Sequence, residues 1–193
     1  MYVGKPTVSR LHENSDRINI VNNRLGAGSS ARLTQILRIQ KGYTYGAYSY
    51  IASNKFQSPF IAATQVRSNV TLESLEILKD QIANYHTTFS QEELETTKNL
   101  ITKGNTRAFE TLNQLMGMVT NISYYNLPDD YLDKSQKQLD ELTLKQAHKI
   151  IAENLNEQEM IYVIVGDAKT QFEKVKEFGY GDPILLDRDG NKI

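Results

Sequence analysis

From Leu72 to Leu155 the apolar residues recur three and four apart in successive runs, and strand-like segments lie outside that block. Leu72, Leu75, Leu78, Ile82 and Tyr85 make one such stripe. Ser90 and Glu93 form a capping box at the start of the next, where Leu94, Thr97, Ile101, Gly104 and Ala108 share a face. Leu112, Leu115, Met116, Val119 and Ile122 continue the spacing until Pro128 stops it. Thr143 with Gln146 caps a further helix carrying Leu144, Ala147, Ile150, Ile151 and Leu155. Helices gathered in one block cannot alternate with strands in βαβ fashion. They must cover a sheet from one side.

The strands to be covered are few. Tyr2 to His12 reads as a short one, broken by Gly4 and Pro6. Asn14 to Asp16 then starts a helix that Gly26 and Gly28 end, with the two glycines expected to permit a tight helix–helix turn. Ser29 or Ser30 caps a second helix through Leu33, Ile36 and Leu37, closed by Lys41–Gly42. Tyr43 to Ala52 alternates as a strand, with Tyr43, Tyr45, Ala47, Ser49 and Ile51 on one face. Phe60 to Arg67 pairs with it as a hairpin. Met160 to Gly166, dense in β-branched residues, is expected to be a central strand buried on both faces. Thr170 to Phe178 is a terminal helix, followed by an extended tail that turns at Asp189–Gly190. The expected fold is α+β, a largely antiparallel sheet with helices packed on one side, in a single domain of 193 residues.

Charge and composition exclude some functions. A formal net charge of −1 disfavours a nucleic-acid partner held by a basic face. No apolar run is long enough for a membrane span. The absence of cysteine removes disulfides and thiolate metal sites. The amino terminus has no signal pattern, and bacterial cytoplasm and periplasm both stay open as locations.

The search for catalytic chemistry is mostly negative. His12, His86 and His148 fit neither H-E-x-x-H nor H-x-x-E-H. The glycine-rich run "LGAGSSAR" lacks the spacing and lysine of a P-loop, the third glycine of a dinucleotide fingerprint, and the second glycine of a nucleophile elbow. Glu92, Glu93 and Glu95 are a favourable acidic first turn of a helix. Arg32 and Arg38, taken alone, are ordinary ion-pair or carbonyl-capping residues.

The same run carries a longer pattern. "NNRLGAGSSARLTQILRIQKGYTYGAYS", Asn22 to Ser49, resembles the insulinase/pitrilysin family of zinc metallopeptidases, which includes the mitochondrial processing peptidases. The matching positions are Asn22, Leu25, Gly26, Gly28, Ser30, Arg32, Leu33, Leu37, Arg38, Gly42 and Tyr45. The family is built from homologous α+β units. One carries an inverted H-x-x-E-H motif and binds zinc, and a second lacks it and closes over the first. This chain has no such motif and resembles the second, carboxy-terminal type, especially in bacterial forms.

The resemblance implies a non-catalytic unit that binds peptide substrate, with no cofactor of its own and zinc on a partner catalytic half-unit. In that type an arginine and a tyrosine seven residues apart contact substrate near the scissile bond, and Arg38 and Tyr45 match them. Tyr43 is a weaker candidate. The chemistry agrees: a guanidinium donates two hydrogen bonds at any working pH, and a phenol can donate to a developing oxyanion. Only 21 residues precede Asn22, whereas the family places sheet strands well before this segment. An opening strand or two is therefore expected to be missing, the chain to be a fragment of a larger peptidase, and an exposed sheet edge to favour a homodimer. The alternative is a catalytically inert structural or interaction subunit. An independent hydrolase has no recognisable constellation to support it.

Overall fold

The computed structural model describes residues 1–193, the side chain of Thr106 excepted. Among the described residues four strands make one antiparallel sheet: β1 (Tyr2–Pro6), β2 (Ala47–Ile51), β3 (Pro59–Thr64) and β4 (Ile161–Val163). They lie in the order β2-β3-β1-β4, and β2 and β3 form the expected hairpin. Val3, Ala47, Ser49, Phe60 and Ala62 are buried on the inner face. Against that face packs α1 (Ser15–Gly26), and its Ile18, Val21 and Leu25 share one core with Leu75, Leu78 and Ile82 of α2 (Thr71–Ala83) and with Ala147 and Ile151 of α7 (Leu144–Asn154), which lies on α1. Between α2 and α7 run α3 (Tyr85–Thr88), α4 (Gln91–Thr106), α5 (Leu112–Tyr125) and α6 (Tyr131–Glu141). The chain finishes with α8 (Ala168–Val175), a short 3-10 turn at Lys176–Phe178, and a tail whose turn at Gly190 has φ +86°. The α+β class with helices on one side is therefore correct.

The capping boxes at Ser90/Glu93 and Thr143/Gln146 form as expected, each hydroxyl accepting from the third helical amide. A third, Thr111/Gln114, opens α5. The burial of α5 differs from its pattern. Leu112 is 75% and Val119 59% exposed, although the spacing is that of a core-facing stripe. Periodicity fixes the helix but not its cover. Tyr125 anchors its end, donating to the Ser53 carbonyl at 2.8 Å. Helix α6 has no apolar stripe to announce it. Only its Leu139 is buried, and ion pairs between Asp130 and Lys134 and between Lys137 and Glu141 span successive turns.

The expectation for Met160–Gly166 is overturned. The strand is only Ile161–Val163, it pairs with β1 alone, and it forms an edge of the sheet. Ile161 is 64% and Val163 49% exposed. A β-branched run suits a pleated surface whether or not its outer face is covered, so composition did not separate the two cases.

Candidate functional site

The run from Asn22 to Ser49 is built around one close approach of backbones. Gly26, the last residue of α1, lies so near β2 that a Cβ there would sit 2.1 Å from both the amide nitrogen and the Oγ of Ser49. Beside it Asn22 clips helix to strand: its Nδ2 donates to the Ser49 carbonyl at 3.1 Å, and Ser49 Oγ donates to Asn22 Oδ1 at 2.7 Å. Gly26 thus serves helix–strand contact, not the helix–helix turn expected of it. Gly28 does make a turn, at φ +88°.

The segment after that turn is not an ordinary α-helix. Thr34–Gln40 is a π-helix, and the Lys41 amide bonds five residues back to the Ile36 carbonyl at 3.0 Å. Such wide turns are rare and concentrate at functional sites. Leu33, Thr34 and Leu37 are buried, whereas Arg38 is exposed and makes no hydrogen bond or ion pair among the described residues. No serine side chain caps this helix. Thr34 instead donates to the Ala47 carbonyl at 2.8 Å, with the Gly28 carbonyl at 3.1 Å.

Between the π-helix and β2 the expected strand does not form. Sheet pairing begins at Ala47, not Tyr43, so Tyr43 and Tyr45 stand outside the sheet. The reason is a competing set of bonds. Gly42 takes φ +62°, and the Tyr43 amide turns back to the Leu37 carbonyl at 2.9 Å. The Thr44 hydroxyl donates to the Gly46 carbonyl at 2.8 Å and accepts from the Gly46 amide at 3.0 Å. Thr64 donates to that same carbonyl at 3.0 Å. Two threonine hydroxyls thus pin the backbone on the far side of Tyr45, which is itself 96% exposed. The side chain of Tyr43 is committed elsewhere. Its hydroxyl donates to Glu73 on α2 at 2.6 Å, and Lys41 holds the other Glu73 oxygen at 2.9 Å. The bond to Glu73 raises the Tyr43 phenol, and the bonds from Tyr43 and Lys41 lower the Glu73 carboxyl.

The outer face of the sheet has no helix over it. Tyr48 and Tyr2 stand directly opposite Ala63, one from each neighbouring strand, and both rings are about half exposed. A small residue between two large ones leaves a trough. With Tyr45, Thr44, Gly46, Thr64 and Gln65 it becomes a hollow of about 230 Å³ that contains no charged side chain. Alternation places Tyr48 on the strand face opposite Ala47 and Ser49, but nothing local indicated that this face would be the open one or that Ala63 and Tyr2 would flank it.

The other charged residues of the segment are structural. Arg32 and Arg24 converge on Glu93, with Nε–Oε1 distances of 2.8 and 3.0 Å, and Arg32 also lies 4.9 Å from the centre of the Tyr85 ring. Burial would raise the Glu93 carboxyl. The bonds from Arg32, the Ser90 amide and Arg24 outweigh it and hold the group at about 2. The histidines sit apart: His148 Nε2 meets the Phe89 carbonyl at 2.7 Å, His86 Nδ1 the Ala83 carbonyl at 3.1 Å, and His12 Nδ1 accepts from the Asn14 amide. Among the described residues no three His, Asp or Glu side chains group as metal ligands.

An α+β domain with one helix-covered sheet, a π-helical turn and an exposed loop after it is the class that this geometry defines. Residues 1–101 match the family model of the peptidase M16 inactive domain, and the chain belongs to that family. The chain is 22% identical over 173 residues to the Helicobacter pylori protein "Non-peptidase homolog YmxG", a match covering 88% of this chain and 40% of that protein. It resembles the crystal structure of a peptidase M16 inactive domain from Pseudomonas fluorescens with a TM-score of 0.75 and 26% identity, covering 82% of this chain and 38% of that one. The inactive peptidase domain of a candidate zinc protease from Bordetella parapertussis has the same fold, at a TM-score of 0.66 and 13% identity, over 86% of this chain and 90% of its own. The chain therefore spans well under half the length of the first two relatives.

Proposed function

We propose that this chain is a substrate-binding and chamber-closing unit of a zinc-dependent endopeptidase, working opposite a zinc-bearing half-unit of the same family. The observation that carries the proposal is the state of two side chains. Arg38 is exposed without a partner among the described residues, and Tyr45 is almost fully exposed on a loop whose backbone is pinned by threonines. Tyr45 thus presents its phenol hydroxyl to solvent from a fixed backbone, seven residues after the exposed guanidinium of Arg38. Arg38 would hold a peptide carbonyl and Tyr45 would donate to the oxyanion formed when zinc-activated water attacks. Tyr43, bonded to Glu73, would steady the loop and reach substrate only by giving up that bond.

The test is reconstitution with a zinc-bearing half-unit and a fluorogenic peptide. Arg38→Ala and Tyr45→Phe are each expected to lower kcat/KM by about 10²-fold, the usual effect of losing one preorganised donor. Turnover unchanged by both variants would reject the assignment. That outcome would favour an inert interaction subunit, the reading suggested by the name of the Helicobacter relative.

The open edge at β4 supports one further contact, a homodimer. Met160 to Gly166 carries no charge and no proline, two of the guards of an edge strand, although the paired stretch is only three residues long. Sedimentation is expected to show concentration-dependent dimers that Val163→Lys abolishes. A wild-type monomer at high micromolar concentration would exclude edge pairing.

A further inference from the structure

We infer that the hollow on the outer sheet face is a specificity subsite, receiving one uncharged aromatic or large aliphatic side chain of an extended peptide. The inference rests on the substrate-binding role proposed above and names what that surface selects. Three features of the hollow argue for it.

The first is its shape. Ala63 is the floor, and its two cross-strand neighbours, Tyr48 and Tyr2, are the walls. Directly opposed residues in an antiparallel pair stand about 5 Å apart. The two tyrosines thus stand on strands two spacings apart, about 9–10 Å between backbones, with the small, buried Ala63 between them. The second feature is its size. At about 230 Å³ the hollow is smaller than the pockets of about 300–1,000 Å³ that enclose cofactors and free small molecules. It suits a single side chain on a chain that continues outside. The third is its chemistry. Three tyrosine rings supply apolar and quadrupolar surface, while Thr44, Thr64 and Gln65 at the rim supply neutral polar groups. No charged residue lines it to balance a charged guest.

Tyr45 joins this hollow to the proposed chemistry, because the same residue lines the hollow and is the proposed oxyanion donor. Tyr48 is further held by stacking on Tyr50, ring centres 6.1 Å apart. The wall is thus formed before any guest arrives.

The experiment measures binding to the 193-residue chain itself, without a zinc partner. The probes are peptides of sequence acetyl-Gly-Gly-Xaa-Gly-Gly-amide, followed by amide chemical shifts. The peptide with Xaa as phenylalanine is expected to bind at least five-fold tighter than those with glycine, glutamate or lysine, with shifts at Ala63, Tyr48 and Tyr2. Ala63→Leu, which fills the floor, is expected to erase that preference and leave the glycine peptide unchanged. Tyr48→Ser, which removes a wall without adding bulk, serves if Ala63→Leu does not fold. Arg38→Ala should weaken all the peptides alike. Equal binding of all peptides, or a preference surviving both hollow variants, would overturn the subsite while leaving the substrate-binding role standing. No binding of any peptide would overturn both.

Discussion

Replacing Gly26 by alanine is expected to cost at least about 3 kcal/mol of folding stability. The added methyl would lie 2.1 Å from the Ser49 amide nitrogen and 2.6 Å from its Cβ, and backbone cannot yield as a flexible side-chain tip can. Moving β2 away would break the buried Asn22–Ser49 pair of hydrogen bonds, each worth about 1–3 kcal/mol once a partner is left unsatisfied. For a chain of this size the melting temperature should fall by about 6–12 °C. Gly104→Ala is the control: nothing stands within 4 Å of the new carbon on α4, and the change should stabilise by about 0.5–1 kcal/mol. Urea titrations of both variants decide the matter. Equal midpoints for Gly26→Ala and wild type would show that α1 and β2 separate at little cost.

The second large effect concerns Glu93. Its carboxylate caps α4, pairs with Arg24 and Arg32, and is mostly buried. Glu93→Gln would leave two half-buried guanidinium groups facing a neutral amide, at an expected cost of about 3 kcal/mol. The same group sets an acid limit. Its carboxyl titrates near 2 in the folded chain against an ordinary value of 4.5, so the unfolded chain binds the extra proton first as acid is added. The stabilisation is complete above about pH 4.5 and is lost as the pH falls towards 2. Stability of the wild type should drop through that window. Glu93→Gln should be less stable at pH 7 and distinctly flatter below pH 4.5. Parallel curves for the two proteins would remove Glu93 from the acid transition.

Much of this arrangement is legible in the letters, and the parts that are not share a cause. Local signals worked where the deciding partners are close in sequence: Ser90 with Glu93, Thr143 with Gln146, and the turn at Gly28. They failed where a distant neighbour decides. Met160–Gly166 has the composition of a core strand, yet only the sheet order makes it an edge. Leu112, Met116 and Val119 have the spacing of a core stripe, yet nothing folds over them. Tyr43 and Tyr45 alternate like strand residues, but the Gly42 turn and the Thr44 and Thr64 hydroxyls take the backbone out of the sheet. The candidate pair Arg38 and Tyr45 came from a resemblance over Asn22–Ser49. Their spacing alone would not have separated them from Arg32, which the fold spends on Glu93.

The π-helix at Thr34–Gln40 has a mechanical consequence. In an α-helix each residue advances the side-chain bearing by about 100°, and the bearing is reset wherever a residue is added or removed. The widened turn works as such an added residue. Within it Leu37 is in the core and its neighbour Arg38 is exposed, without a hydrogen bond or ion pair among the described residues to steer it. The aim of that guanidinium is therefore written in the winding of the main chain. Deleting one residue from the turn would leave every contact type available and still swing Arg38 about a quarter of a circle away from where it now faces.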